Sequence, residues 1–104
     1  MSTNVFEFSM GDELAMQRLV KDDRLMINRL VVPSESEVPA HKTESSAYFI
    51  VTDGMLSLAL NGEPEQEYPT GTIVSIAAGS MLAIANRQDS VMRMFVIKTH
   101  NDGC

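Results

Sequence analysis

Residues 39–62 read PAHKTESSAYFIVTDGMLSLALNG, and residues 68–86 read YPTGTIVSIAAGSMLAIAN. In the first stretch Leu56, Leu58 and Leu60 alternate with Met55, Ser57 and Ala59. This period of two marks a strand with one buried face. Asp53-Gly54 and Asn61-Gly62 bound that run, and both pairs suit tight hairpins because Gly takes positive φ at little steric cost. The punctuation continues at Pro69-Thr70-Gly71 and Ala78-Gly79-Ser80, and upstream at Val32-Pro33-Ser34 and Glu37-Val38-Pro39. Gly54, Gly62, Gly71 and Gly79 recur at intervals of eight, nine and eight residues, with short apolar runs between them. That rhythm predicts an all-β sandwich or barrel.

Further strands are expected over residues 24–32 (RLMINRLVV), 73–77, 81–85 and 91–98. Residues 1–23 read as an N-terminal arm with a short helix or strand; Ser9 is placed to cap a helical turn into Glu13-Leu14-Ala15-Met16. Residues 24–98 form the barrel and 99–104 a tail. With 104 residues, 44% of them hydrophobic, the chain can bury one core without a disulfide or metal. It has eight Met, no Trp and six aromatic residues, so Val, Ile, Leu and Met fill that core.

Two histidines (His41, His100) and one cysteine (Cys104) exclude zinc-finger, iron–sulfur and disulfide scaffolds by count. The net charge is −6, and the eight basic residues are scattered. Nucleic acid is therefore not an expected partner, since phosphate binding needs a basic stripe. No apolar run reaches the length of a bilayer span or a signal peptide. A lone Cys fits a free thiol in a reducing cytoplasm.

Residues 24–98 resemble the cupin superfamily, small β-barrels of jelly-roll type. The first cupin motif, G-x5-H-x-H-x3,4-E-x6-G, is matched in spacing from His41 to Gly54. The second, G-x5-P-x-G-x2-H-x3-N, is matched at Gly71, Gly79 and Asn86. The resemblance implies an all-β, cupin-type jelly-roll barrel in a single domain. In metal-binding cupins three His and one Glu converge on one divalent ion. Here only His41 stands at a ligand position; Thr43, Ala47 and Leu82 occupy the other three, and Ala77 replaces the motif Pro. Ala and Leu carry no donor, a neutral hydroxyl is weak, and functional sites use three or more protein ligands. No metal and no other cofactor is expected.

The expected ligand pocket comprises His41, Thr43, Ala47, Phe49, Leu82, Asn86 and Arg29. His41 is either a ligand contact or general base, or a polar residue at the barrel mouth without a reaction. Phe49 and Val51 share parity with Ala47 and line the barrel. Asn86 shares parity with Leu82; it contacts a ligand or, as the resemblance suggests, makes a structural hydrogen bond. Arg29 stands mid-strand among apolar residues. If Leu25, Ile27 and Val31 face inward, so does Arg29, and it then needs a carboxylate or an anionic ligand. Met81, Met92 and Met94 read as packing residues.

Three functions stay open at this point. One is a metal-free binding or accessory module with an apolar barrel pocket. Another is a metal-independent acid–base enzyme such as a sugar isomerase or epimerase, a class the resemblance brings in. It needs a second titratable group beside His41, which Glu44 or Tyr48 would supply if the strand bends before Ala47. The third is an interaction protein whose barrel is plugged by Phe49, Leu82 and Leu or Met side chains. Tyr48–Val51 and Val91–Ile97 (apart from Arg93) are apolar on both faces, where a strand half-exposed to water would alternate. A homodimer packing sheet on sheet would cover the outer face; the N-terminal arm would serve instead.

Overall fold

The computed structural model describes residues 3–13 and 15–99. The described residues run through nine strands: β1 (Ala15–Lys21), β2 (Leu25–Val32), β3 (Ser36–Lys42), β4 (Ala47–Asp53), β5 (Met55–Leu60), β6 (Gln66–Pro69), β7 (Ile73–Ile76), β8 (Met81–Asn86) and β9 (Met92–Thr99). They form two antiparallel sheets. One has the order β1-β2-β9-β4-β7, the other β3-β8-β5-β6. The molecule is an all-β, single-domain cupin-type jelly roll.

The core lies between the sheets. The five-stranded sheet contributes Leu30 and Val32 of β2, Met92, Met94 and Val96 of β9, Ala47, Phe49 and Val51 of β4, and Ile76 of β7. Leu56 and Leu58 of β5 and Leu82 and Ile84 of β8 meet them from the four-stranded sheet. Strand periodicity accounts for this sorting: in β4, Ala47, Phe49 and Val51 point inward, and Tyr48 and Ile50 outward. Gly54 has φ 79°, and a Cβ there would lie 2.4 Å from the Val91 carbonyl oxygen. Only Gly allows the β4–β5 hairpin to approach β9 so closely.

Several expectations need correction. Among the described residues no helical turn follows Ser9. Its Oγ accepts the Gly11 amide at 3.3 Å within an extended arm, and residues 15–21 are drawn into β1 by pairing with β2. Strands β3 and β6 lie at the two edges of their sheet. Each carries a Pro (Pro39, Pro69) and mostly exposed side chains, which edge strands tolerate and sequence periodicity does not reveal. Met81 is exposed rather than packed; it pairs with Lys42 where β3 and β8 run out.

Arg29 does not point into the barrel. Leu30 and Val32 take the inward parity of β2, so Arg29 and Val31 project from the outer face, where both are buried. The arm accounts for much of that cover. Phe8 packs edge-on against Phe95 at 5.4 Å, and Arg29 lies 5.7 Å from the Phe8 ring centroid. Tyr48 and Ile73, on the same outer face, stay 45% and 64% exposed.

Candidate functional site

The four cupin ligand positions lie on β3, β4, β8 and the turn after β3. His41 stands opposite Leu82 in the β3–β8 ladder, but its ring is exposed, with Nδ1 3.2 Å from the Pro39 carbonyl. A carbonyl can only accept, so Nδ1 carries the proton in that contact. Thr43 is buried and donates its hydroxyl to the Ser45 carbonyl at 2.9 Å. Its backbone pairs with Ser80 and Gly79 at 2.9 and 2.7 Å, so it fastens one turn to another. Ala47 and Leu82 are core residues packed in one cluster with Phe49.

This donor set does not fit a divalent metal. It offers one exposed imidazole, one hydroxyl committed to the backbone and two hydrocarbons. Among the described residues no group of three or more His, Cys, Asp or Glu is placed to hold an ion. His100 and Cys104 lie outside the described residues. The groups considered as a second acid or base do not assemble at His41 either. Glu44 is an exposed residue of the bend, and Tyr48 projects from the outer face of the opposite sheet.

The expected ligand pocket is therefore built differently from the sequence expectation. Ala47, Phe49 and Leu82 are interior packing. Asn86 is fully buried and structural: its Nδ2 donates to the carbonyls of Val32 (3.0 Å) and Ser90 (2.7 Å), and its Oδ1 accepts the Gln88 amide at 3.0 Å. Its amide group ties the end of β8 to the end of β2 and shapes the turn into β9. Among the clefts on the surface of the described residues are three of about 290–380 Å³. One of about 290 Å³ has Glu37, Glu65 and Arg87 at its rim and Ala83 and Ala85 among its lining. Another of about 300 Å³ lies beside Leu60, Glu63 and Tyr68. The third, about 380 Å³, lies between the arm and β1. None is lined by His41, Thr43, Ala47, Phe49, Leu82 or Asn86.

Sequence reading missed the charged groups that hold the outer surface together. Arg93 makes a two-pronged pair with Asp12, at 2.8 and 2.7 Å, and reaches Asp53 at 3.4 Å. The hydrogen bonds from Arg93 hold the Asp12 carboxyl below the ordinary Asp value, and those to Asp12 push the Arg93 guanidinium up. Arg93 is the lone charge in an apolar run, the one sign in the sequence that it needs a partner. That partner lies 81 residues away, beyond local pattern. Arg87 is likewise pinned by Glu65 at 3.1 and 3.3 Å and by Glu37, which raises its pKa, Glu65 most.

No family model matches the chain. An uncharacterized protein of Methanocaldococcus jannaschii, MJ0764, is 26% identical over 99 residues, 94% of this chain and 85% of that protein. The crystal structure of MJ0764, described as an RmlC-like cupin family protein with a double-stranded β-helix fold, superposes with a TM-score of 0.89. It covers 95% of this chain and 92% of that one, at 26% identity. The Schizosaccharomyces pombe Cnp3 cupin domain has the same fold at 14% identity, with a TM-score of 0.75 over 83% of this chain and 60% of that one. A predicted oxalate decarboxylase of Thermotoga maritima matches at 18% identity and TM-score 0.71, over 81% and 77%. With the motif spacing carried on the matching strands and the architecture shared with MJ0764, this chain belongs to the cupin superfamily.

Proposed function

We propose that the chain is a metal-free cupin module with a binding or accessory role, acting through its outer surface and pairing with a second copy of itself. The observation that carries this reading is the filling of the ligand positions: Leu82 and Ala47 are buried with Phe49 in one hydrophobic core cluster. A hydrocarbon interior disfavours a bare cation and offers no second acid or base for proton transfer. The second copy is supported by the outer face of the five-stranded sheet, where the arm leaves Tyr48 and Ile73 exposed beside Ile50 and Ile97. Exposed apolar surface of this kind marks interaction sites. The single Cys, with no pairing partner in the chain, supports a reducing compartment such as the cytoplasm.

The test of the interior is thermal unfolding with and without Mn²⁺, Fe²⁺, Ni²⁺ or Zn²⁺. A site filled at a hundred times its Kd adds about 2.7 kcal/mol, which in a domain this size is roughly 10 °C or more in Tm. The reading expects no such shift; a shift of that size abolished by His41→Ala contradicts it. The test of pairing is light scattering on the full chain. A mass twice that of the chain, reduced to one chain by Tyr48→Glu with Ile73→Glu, supports it. A monomer at every concentration overturns it.

A further inference from the structure

Arg29 is 4% exposed, yet forms no ion pair among the described residues. Its Nη1 donates to the Gly11 carbonyl at 3.1 Å, while its Nη2 is buried without a partner. A guanidinium taken out of water and left part-satisfied is costly. Directly across the β1–β2 ladder is Gln17, whose Oε1 is also buried and unpartnered. An orphaned donor and an orphaned acceptor thus stand side by side. Both line the cleft of about 380 Å³ between the arm and β1, together with Ser9, Gly11, Asp12 and Glu13. That volume suits a small ligand.

We propose that this cleft binds a small carboxylate carrying an adjacent ammonium group, of the α-amino acid class. The carboxylate accepts from Arg29 Nη2, a charge-assisted contact suited to a guanidinium fork. The ammonium donates to Gln17 Oε1 and faces the Glu13 carboxylate. Asp12 is already committed to Arg93, so Glu13 is the free counter-charge on the rim. A bare anion would leave the Gln17 acceptor unmet and would face Glu13 at a cost. A bare cation would face Arg29. The ligand with both charges satisfies both orphans. This deepens the reading of a binding module by naming its ligand, and rests on that reading for its purpose alone.

The experiment is a titration of the ¹⁵N-labelled full chain with glycine, acetate and methylamine at matched ionic strength, followed by amide shifts. Glycine is expected to give saturable shifts at Gly11 and Gln17, with a Kd on the order of 1 mM. Acetate should bind at least about tenfold more weakly, and methylamine should give no saturable shift. Arg29→Lys keeps the charge and loses the fork, and should weaken glycine by about tenfold or more. Should that variant fail to fold, Glu13→Gln at an exposed position carries the test: it should weaken glycine and leave acetate unchanged or stronger. Absence of saturable shifts with glycine overturns the proposal, leaving water as the partner of Arg29 and Gln17. Equal binding of acetate and glycine, indifferent to Glu13→Gln, overturns it in favour of a bare-anion site. Either failure leaves the metal-binding result untouched, so loss of the ligand and loss of the wider reading are distinguishable.

Discussion

Asn86 separates a structural reading of the second cupin motif from a ligand-binding one. Its side chain is fully buried and makes three hydrogen bonds, at 3.0, 2.7 and 3.0 Å. Asn86→Ala strands the carbonyls of Val32 and Ser90 and the amide of Gln88 together. Each buried orphan costs about 1–3 kcal/mol. The bonds to Ser90 and Gln88 are only part-buried, so a total of about 3 kcal/mol, the low end of the sum, is expected. With a urea slope near 2 kcal/mol/M, the unfolding midpoint falls by about 1.5 M. Asn86→Asp is worse at neutral pH, because a carboxylate oxygen would replace Nδ2 against two carbonyl oxygens. Burial and those oxygens raise the folded-state pKa of that Asp above its unfolded value of about 3.9. The folded protein then binds the proton more tightly, so its stability falls as pH rises from the unfolded to the folded pKa and stays low above it. Relative to Asn86→Ala, the Asp variant should regain stability between pH 7 and pH 4. The assay is urea unfolding followed by circular dichroism at both pH values. An Ala variant within about 0.5 kcal/mol of the parent, the range of a surface change, would refute the structural assignment.

Two glycines of similar φ should respond unequally to Ala. At Gly54 (φ 79°) the new Cβ meets Val91 O at 2.4 Å and Met92 Cα at 3.0 Å, whereas at Gly79 (φ 88°) nothing lies within 4 Å. Gly79→Ala should cost about 1–2 kcal/mol from conformation alone, and Gly54→Ala a further 1–3 or so from overpacking; equal losses in Tm would refute the close approach. Asp12 has a folded-state pKa below its ordinary value through Arg93, so its hold on the arm is present at neutral pH and lost as pH falls through that lowered value. Amide protection over residues 3–13, taken relative to the intrinsic exchange rate at each pH, should fall in acid, and Asp12→Asn should reproduce the lost protection at pH 7. Protection indifferent to both changes would show that the arm is held by other contacts.

Much of the barrel was legible because its turns are marked by Gly and its central strands by alternation. Ala47, Phe49 and Val51 could be assigned inward from parity alone, and the core cluster contains all three. The edge strands β3 and β6 were not legible, since each has few buried side chains and carries a Pro. Parity failed at β2 for a different reason. Residues 25–32 read LMINRLVV and are apolar on both sides of Arg29, so a period of two could not say which set faces the core. The arm decided it by burying the outer face. The ligand positions were legible as a spacing, because Gly54, Gly71 and Gly79 keep the register between the motifs. The cleft at Arg29 was not, because it joins Gly11, Gln17 and Arg29 from three segments, and Arg93 finds Asp12 only in three dimensions.

Elemental analysis tests the central claim, that the interior is packed hydrocarbon and no metal centre, most directly. The chain would be expressed with manganese, iron, nickel and zinc supplied, purified without chelator, and assayed for metal per chain. The account predicts far less than one ion per chain, unchanged by His41→Ala. One tightly held ion per chain that disappears with His41→Ala would contradict it.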